Sequence, residues 1–269
     1  MLRLGFVGTG AITEAVVHGL HRADNRKVEI LLSPRSEARS RALAARYQSV
    51  TRAHDNAAVV AGSDVVFLAV RPQQLPDIVG LPFRSDQSVV SFLAGTPIDR
   101  IRAFAAPAAR LTRVLPLPCI SVGQGPILIT PPDPTLKALF AGLGDLISLE
   151  HEADFGALAA ITGLISSHFE LQNVVFEWLR AQNVSDVTAS LYVRSFFAGL
   201  GASALAAAHD DHTSTGQAIE VAACETPGGL NEACRMHLTD RGWFGQFGEA
   251  LAAIQRRARE LSESTTGPE

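Results

Sequence analysis

The first thirteen residues constrain the fold of this chain more than any other segment. Residues 2–7 form an apolar run of strand length, followed directly by a turn with Gly8 and Gly10 and then by a helix that we expect to reach about Leu20. A strand, a Gly-x-Gly turn and a helix in this order open the βαβ units that bind dinucleotides. Gly8 allows the tight turn, Gly10 lets the backbone approach a pyrophosphate, and the amides at the helix start face the anion. The segment therefore predicts a phosphate-binding loop, although Thr13 stands where the third glycine of such fingerprints lies.

The next predicted strand, residues 28–32, ends about 20 residues after the glycines, where such folds bind the adenosine ribose. An acidic residue at this point would indicate NAD. This chain has two hydroxyls and a guanidinium instead, with no carboxylate to repel a 2′-phosphate, in the sequence Ser33-Pro34-Arg35-Ser36. The pattern favours NADP as the cofactor. The alternative is that Arg35 is an ordinary solvated arginine, like others on the helix that follows.

Length and composition favour two domains and an oligomer. The 269 residues lie near the size at which single cores stop growing and chains divide. Mean hydropathy is slightly positive and only 19% of residues are charged, so a monomer would expose much apolar surface that a second copy would cover. The net charge of −4 and the lack of a basic stripe interleaved with aromatic residues argue against a nucleic-acid partner.

Cysteine usage and hydropathy predict a soluble, cytoplasmic protein without a membrane partner. The cysteines have neither paired metal-ligand spacing nor a disulfide framework, which suits a reducing compartment; they are Cys119, Cys224 and Cys234. No apolar run approaches the ~20 residues that a membrane-spanning helix needs. The apolar N-terminus is interrupted by glycines and by Glu14, so we do not interpret it as a signal peptide.

Strand and helix signals alternate over residues 1–150, which predicts an α/β domain: a mostly parallel, doubly wound Rossmann sheet that binds NADP. The predicted strands lie near residues 2–7, 28–32, 64–70, 88–93, 111–114, 126–129 and 146–149. Residues 151–262 predict an all-helical dimerisation and substrate domain, because long Ala- and Leu-rich segments there have helical spacing. Its predicted helices lie near residues 154–181, 186–208, 213–224, 228–239 and 243–262, and residues 263–269 predict a disordered tail.

The apolar helices of the second half predict self-association. About 110 residues cannot bury the apolar faces of so many helices, so a helical core shared between two chains is expected. This predicts a homodimer or a higher homo-oligomer. The alternative is a closed monomeric bundle.

Several segments together resemble the pyrroline-5-carboxylate reductase family, which has an N-terminal Rossmann domain and a C-terminal helical dimerisation domain. The resemblance covers nearly the whole chain, with Arg71 where the family usually has lysine. It rests on Gly5-Phe6-Val7-Gly8-Thr9-Gly10-Ala11-Ile12, Asp55-Asn56, residues 63–73, residues 90–95, Arg113-Val114-Leu115-Pro116, Val122-Gly123-Gln124-Gly125 and Thr226-Pro227-Gly228-Gly229.

The resemblance implies which positions bind the cofactor. These are Gly8, Thr9, Gly10, Ala11 and Ile12 for the pyrophosphate, Ser33, Arg35 and Ser36 for the 2′-phosphate, Asn56 for the adenosine ribose, Ala69, Val70, Arg71 and Gln73 for the nicotinamide half, and Ala94 after the next strand. The cofactor half of the family pattern is thus retained.

The substrate side departs from the family pattern. After Pro116 the family has Asn-Thr-Pro, whereas this chain has Leu117-Pro118-Cys119, and the two threonines after the family's Pro-Gly-Gly become Leu230 and Asn231. In the family these segments bind a small carboxylate with backbone amides and hydroxyls. Their alteration predicts a different substrate head group.

Hydride transfer to a C=N bond needs little acid–base machinery when the imine arrives protonated. The family's Ser-Gly-Ser-Gly-Pro-Ala-Tyr maps onto residues 162–168, or onto a register shifted by three residues, and the first register puts His168 in place of the tyrosine. A histidine there is a candidate proton donor, since its unperturbed pKa of about 6.5 suits transfer near neutrality. The alternative is a polar residue held in a helix interface.

The remaining site candidates follow from the same comparison. The catalytic candidates are His168, Thr226 and Asn231, and the substrate-binding candidates are Pro116, Ser166, Ser167, Gly228 and Gly229. The polar members of both sets have an alternative interpretation as helix caps or solvated surface.

No metal site is predicted. The tetrad His209-Asp210-Asp211-His212 lies between two predicted helices, where acidic residues serve as a cap. Cys224, Cys234 and His237 lie on apolar helices, so we expect them in a packed core.

The chain is therefore predicted to be an NADPH-dependent reductase acting on the C=N bond of pyrroline-5-carboxylate or a related cyclic imine. One alternative is a catalytically silent NADP-binding sensor or scaffold protein. Another is a β-hydroxyacid dehydrogenase, which would need a lysine early in its interdomain helix, and residues 154–179 contain none.

Overall fold

The computed structural model describes residues 1–23, 28–93, 95–210 and 225–264. They fall into two compact units, which are the described parts of Met1–Ala160 with Gln255–Glu269, and of Ile161–Ile254. The first unit contains a sheet flanked by helices, and the second is helical. Contacts thus divide the chain after Ala160, whereas the composition suggests a boundary at residue 151.

The sheet of the first unit has eight strands in the described residues. Their bounds are β1 Leu2–Val7, β2 Val28–Leu32, β3 Val50–Arg52, β4 Val65–Leu68, β5 Ser88–Ser91, β6 Arg110–Pro116, β7 Pro126–Thr130 and β8 Asp145–Ser148. The strand order is β3-β2-β1-β4-β5-β6-β7-β8. Every neighbouring pair is parallel except β6 with β7. The predicted doubly wound, mostly parallel sheet is confirmed, and the three-residue edge strand β3 was not predicted.

Helices pack on this sheet and form the second unit. Those before the unit boundary are α1 Ala11–Arg22, α2 Glu37–Arg46, α3 Asn56–Ala61, α4 Ile98–Ala105, α5 Pro134–Phe140 and α6 Glu152–Ala160, and those after it are α7 Ile165–Ala181, α8 Asp186–Asp210, α9 Leu230–Asp240 and α10 Trp243–Ser264. Short 3₁₀ turns cover Pro72–Ile78, Pro118–Val122 and Ile161–Leu164. The last of them divides the single helix predicted over residues 154–181.

Two predictions fall wholly or partly outside the described residues. The helix predicted over residues 213–224 is one, together with Cys224 and half of the His209–His212 tetrad. The predicted tail is the other: α10 runs to Ser264, and residues 265–269 are not described. Among the helices in the described ranges, none is long and apolar enough to cross a membrane.

The core lies on both faces of the central strands. Leu4 and Phe6 of β1 and Val66 and Phe67 of β4 are fully buried. The rings of Phe6 and Phe67 stack with their centroids 4.5 Å apart. A parallel sheet covered by helices on both sides buries consecutive residues, which explains why its strands are uninterrupted apolar runs. These strands fix the chain segments that follow their carboxyl ends.

Helix α6 packs against the sheet and therefore belongs to the first unit. Phe155 is fully buried and packs in a cluster with Leu128 of β7. The guanidinium of Arg113, on β6, lies 4.1 Å from the centroid of the Phe155 ring. Its Nη1 donates to Glu152 Oε1 at 2.7 Å. Burial lowers the pKa of Arg113, and the bond to Glu152 opposes that shift.

Candidate functional site

The carboxyl ends of the parallel strands β1 to β5 lie along one edge of the sheet. The strand order reverses between β1 and β4, and such a switch point forms the crevice in which open α/β sheets bind ligands. The predicted cofactor segments follow these strand ends, with Gly8 after β1, residues 33–36 after β2, Asn56 after β3 and residues 69–73 after β4. The fold thus brings together segments that are widely separated in the sequence.

Gly8 is held in a conformation and a space that only glycine fits. Its φ is +105°, which L side chains rarely adopt. A Cβ atom at this position would lie 2.5 Å from the carbonyl oxygen of Ala69, which follows β4. The Gly8 amide donates to Ser33 Oγ at 3.0 Å. The turn after β1 is therefore packed tightly between the ends of its two neighbouring strands.

Gly10 faces open space at the start of helix α1. A Cβ atom there would meet nothing within 4 Å. Gly10 is the N-cap residue, and no side chain caps the helix. The first amides of an α-helix, here those of Ala11 and Ile12, have no acceptor within the helix and attract an anion. An open backbone and an uncapped helix start fit the pyrophosphate of a dinucleotide.

The hydroxyl groups of two threonines stabilise the turn through hydrogen bonds. Thr13 is fully buried, and its hydroxyl donates to the Gly8 carbonyl at 2.7 Å. The Thr9 hydroxyl donates to the Ser33 carbonyl at 3.0 Å. Thr13 thus replaces the third glycine of the fingerprint with a side chain that ties the helix to the turn. Sequence reasoning did not give this residue a role, although a hydroxyl one turn after Gly-x-Gly was a usable signal.

The side chain of Ser33 is turned inward, toward the Gly8 turn. Its side chain is buried, with 1% of the residue exposed, and its Oγ accepts the Gly8 amide. The prediction of a direct phosphate contact by Ser33 is therefore corrected: the hydroxyl supports the loop. Arg35 and Ser36 are exposed, and Ser36 is the N-cap residue of α2.

Two arginines of α2 are in ion pairs. Arg39 Nε lies 2.7 Å from Glu14 Oε2. Arg41 pairs with Glu37, the first acidic residue after β2, which also lies 3.8 Å from Arg52 Nη2.

The segments after β3 and β4 complete the cofactor edge. Asp55 caps α3 by accepting the Ala58 amide at 2.7 Å, and Asn56, the first residue of that helix, is half-buried. Ala69 and Val70 are half-buried, whereas Arg71 and Gln73 are exposed; Ala94 lies outside the described residues. The Arg71 amide donates to Gln74 Oε1 at 3.1 Å, which starts the 3₁₀ turn.

The segment after β6 is apolar. Pro116, the last residue of β6, is buried, and Leu117 and Cys119, which follow it, are half-buried. Burial raises the pKa of the Cys119 thiol, so it is neutral near pH 7. These residues offer a substrate an apolar surface and no ionised group.

The candidates at the start of α7 are exposed within the helical unit. Ser166, Ser167 and His168 lie in its first turn. His168 Nε2 is 2.7 Å from Gln172 Nε2, and its ring lies edge-on to Phe197 with the centroids 5.6 Å apart. The imidazole therefore already has a polar partner and an aromatic neighbour on its own helical hairpin.

The candidates near α9 form a glycine turn and a helix start. Thr226 and Gly228 are exposed, and Gly229 is the N-cap residue of α9. Gly228 has a φ of +72°, and its amide donates to Glu232 Oε2 at 2.6 Å. The side chains of Leu230 and Asn231 are exposed.

The cysteine and histidine of α9 lie on the surface of the second unit. Cys234 and His237 are exposed in α9, so the prediction that they pack in a core is wrong for the described chain. Within the ranges that the structure describes, no group of three His, Cys, Asp or Glu side chains could hold a metal ion.

Comparisons with known proteins agree with this geometry. A family model described as NADP oxidoreductase, coenzyme F420-dependent, matches residues 3–95. The pyrroline-5-carboxylate reductase of Corynebacterium melassecola is 28% identical over 98% of this chain and 100% of its own length. The enzyme of the same name from Pisum sativum is 29% identical, over 96% of each chain.

Solved structures show the same fold. The 1-pyrroline-5-carboxylate reductase of Streptococcus pyogenes has a TM-score of 0.77 at 20% identity and covers 96% of this chain and 98% of its own. The Plasmodium falciparum pyrroline carboxylate reductase, solved with NADP bound, has a TM-score of 0.76 at 16% identity, over 97% of this chain and 98% of its own. This chain is therefore similar over nearly its whole length to pyrroline-5-carboxylate reductases and shares their fold.

Proposed function

We propose that this protein is an NADPH-dependent reductase that transfers a hydride to the C=N bond of a cyclic imine. The observation that carries the proposal is the turn at the switch point of the sheet. Gly8 is packed against Ala69, and Gly10 is open beside the uncapped start of α1. This is the arrangement that a bound dinucleotide pyrophosphate requires. The full-length similarity to pyrroline-5-carboxylate reductases supports the reaction class.

The proposed preference for NADPH depends on Arg35 and Ser36. Both are exposed directly after β2, at the edge where the adenosine ribose is bound in such folds. Ser33 contributes indirectly, because its hydroxyl holds the loop in place. Glu37 is the first carboxylate after β2, and its pairing with Arg41 compensates its charge. A 2′-phosphate would therefore meet a guanidinium and a hydroxyl.

The chain's own residues would orient the reactants and exclude water. When bound, NADPH supplies the hydride from its nicotinamide ring. Val70, Pro116 and Leu117 are buried or half-buried at or just after the ends of β4 and β6 and offer apolar contact at the cofactor edge. Such positioning, with a protonated imine as acceptor, does not require a nucleophile or a catalytic triad. We propose His168, Thr226 and Asn231 as the polar groups that contact the substrate.

We propose that the substrate is less polar than pyrroline-5-carboxylate or differently substituted. Leu117, Leu230 and Asn231 stand where the family has residues that can hydrogen-bond near the substrate. An apolar residue at such a position leaves a polar substrate group unpaired, at a cost of about 1–3 kcal/mol, or up to ~100-fold in specificity. The Gly228–Gly229 turn would still provide backbone amides.

The test is NADPH oxidation with a panel of cyclic imines, with and without a carboxylate. We expect kcat/KM to be higher for an uncarboxylated imine than for pyrroline-5-carboxylate. A value for pyrroline-5-carboxylate at or above ~10⁴ M⁻¹s⁻¹ would contradict the substrate proposal and leave the reductase proposal intact. Cofactor binding without turnover of any imine would instead favour a sensor or scaffold.

We also propose that the protein works as a homodimer or higher homo-oligomer. Helices α7 and α8 leave large apolar side chains exposed, including Phe169, Trp178, Leu191 and Phe196. Their clustering on one helical hairpin supports a surface that a second copy covers.

A further inference from the structure

A cleft lies toward the end of helix α1 that is remote from the Gly8 turn. It has a volume of about 460 Å³. Its lining comes from α1, from the end of α2 and from the 3₁₀ turn after β6, and consists of His18, His21, Arg22, Arg46, Tyr47 and Ser121. His18 and His21 lie about 10–15 Å along the helix axis from Ala11, at ~1.5 Å per residue. The cleft is therefore separate from the position of the pyrophosphate.

The lining is cationic. It contains two guanidinium groups, two imidazoles and two hydroxyls, and none of these six residues carries a carboxylate. Glu14, one turn before His18, is paired with Arg39. Basic residues at the ends of two helices are favoured by the helix dipoles, but this does not account for the open volume between them.

Hydrogen bonds and ring stacking hold the imidazoles in place. His18 Nδ1 lies 2.7 Å from the Tyr47 hydroxyl oxygen. Both ring nitrogens of His21 have protein partners: Nδ1 lies 2.8 Å from the Val17 carbonyl oxygen and Nε2 lies 2.9 Å from Ser49 Oγ. The His21 ring also stacks on that of Tyr47 with the centroids 3.7 Å apart, so His21 would contact a ligand through its ring face, and His18 Nε2 is the imidazole nitrogen left to bind an anion. The orientation of these polar groups is fixed before any ligand arrives, which lowers the entropic cost of binding.

The arginines are positioned by different contacts. Arg22 Nη2 donates to the carbonyl of Gly142. The Arg46 guanidinium lies 5.4 Å from the centroid of the Tyr47 ring. Burial, and to a smaller extent the positive charge of Arg46, lower the pKa of His18. The negative charge of Glu14 raises it. An anion bound between His18 and Arg46 would act in the opposite direction and raise the pKa of His18.

We propose that this cleft binds a small multivalent oxyanion, namely a phosphorylated small molecule, at a site distinct from the dinucleotide site. Arginine and histidine side chains recognise phosphate oxygens through charge-assisted hydrogen bonds. The volume exceeds that of a phosphate group alone, and the stacked rings of Tyr47 and His21 offer a flat surface for the remainder of the ligand.

The experiment titrates the full chain with inorganic pyrophosphate while saturating NADP⁺ occupies the Gly8 loop. Binding is measured by calorimetry, and the His18 and His21 side-chain resonances are followed by NMR, with His18→Gln and His21→Gln spectra for assignment. We expect saturable binding that moves both resonances. Binding that disappears under NADP⁺, or that leaves both imidazoles unchanged, would place the anion at the Gly8 loop only and overturn the proposal.

Matched variants locate the contact. Arg46→Ala should weaken pyrophosphate binding by about fivefold or more, because a charge-assisted bond is lost. Arg41→Ala, an exposed arginine on the same helix that pairs with Glu37, should leave the affinity unchanged. Equal affinities for the two variants would refute the role of the cleft. If the Arg46→Ala variant is unstable, the NMR titration of the unmodified protein still tests whether the anion binds in the cleft.

Discussion

Gly8 and Gly10 differ in backbone conformation and in the space around them. Gly8 has a positive φ and no room for a Cβ beside the Ala69 carbonyl. Gly10 has an extended backbone and open space around it. The first glycine therefore serves the fold, and we propose that the second serves the ligand.

This difference predicts opposite effects of two alanine variants. Gly8→Ala should lower stability by at least about 1–2 kcal/mol, because of its positive φ, with a further loss from the contact with Ala69. Gly10→Ala should keep stability within about 0.5–1 kcal/mol but reduce dinucleotide affinity about tenfold or more, because a methyl group occupies the anion's approach. Thermal unfolding and cofactor titration separate the two effects. Similar losses of stability in both variants would contradict this assignment.

Arg35 determines the proposed cofactor preference. Arg35→Ala should weaken NADPH binding about ten- to hundredfold, because a charge-assisted hydrogen bond is worth about 1.5–3 kcal/mol. NADH lacks the 2′-phosphate, so its affinity should not change. Fluorescence titration of both cofactors checks this, with Arg41→Ala as the matched control on the next helix. An equal loss for NADPH and NADH would assign Arg35 a structural role.

At this scale the sequence predicted which segments follow the carboxyl ends of the strands but not the orientation of each side chain. The Gly-x-Gly spacing and the lack of a carboxylate after β2 can be read from residue types. That Ser33 is turned inward onto the Gly8 amide and Thr13 onto the Gly8 carbonyl depends on packing between strands. No local pattern encodes that packing.

Among the elements, helix α6 shows how packing overrides composition. Its Ala- and Leu-rich sequence resembles that of the later helices, yet Phe155 is buried against the sheet. Glu152 accepts from Arg113 on β6 and from the Ile98 amide at the start of α4, at 2.7 and 2.8 Å. One carboxylate thus links three elements of the first unit.

Removing this carboxylate should destabilise the first unit. We expect Glu152→Ala to cost about 2–3 kcal/mol, because it removes a carboxylate that pairs with the buried guanidinium of Arg113. Asp86→Ala is the control, since Asp86 forms an exposed pair with Arg84 and its loss should stay within about 0.5 kcal/mol. Chemical denaturation of both variants gives the comparison. Equal losses would show that the buried pair adds no more than a surface pair.

The elements that the sequence did not predict are short or lie at boundaries. Strand β3 has three residues and is recognisable only by its pairing with Ile30, Leu31 and Leu32 of β2. The turn Ile161–Leu164 interrupts a continuous apolar pattern in which only Gly163 indicates a break. Long strands and helices with clear periodicity were predicted close to their observed bounds, because their burial pattern is repeated many times along the element.

At the scale of the whole molecule, the helical unit exposes large apolar side chains to water, which is energetically unfavourable. Trp178 of α7 is 62% exposed and Leu191 of α8 is 71% exposed. Isolated exposed hydrophobic residues are common, but several large ones on one hairpin are typical of an interface. The composition of the chain predicts an excess of exposed apolar surface. Its location on one hairpin follows only from the positions of the helices.

A charge placed in this surface should prevent self-association. We expect the unmodified protein to sediment as a dimer or larger species without folded monomer at micromolar concentration, and Trp178→Glu to shift it toward monomer. Val79→Glu, an exposed apolar position in the first unit, is the control and should keep the assembly. A stable monomer of the unmodified protein would contradict the proposal.

The antiparallel pairing of β6 with β7 also bears on how the chain folds. Pro116 of β6 pairs with Ile127 of β7, whereas Leu4 of β1 pairs with Val65 of β4, much further along the chain. Forming the first contact closes a short loop at low entropic cost, and forming the second does not. The hairpin of β6 and β7 is therefore suited to form early. The apolar segment that it encloses, Leu117 to Gly125, would acquire its shape before the nucleotide crevice exists.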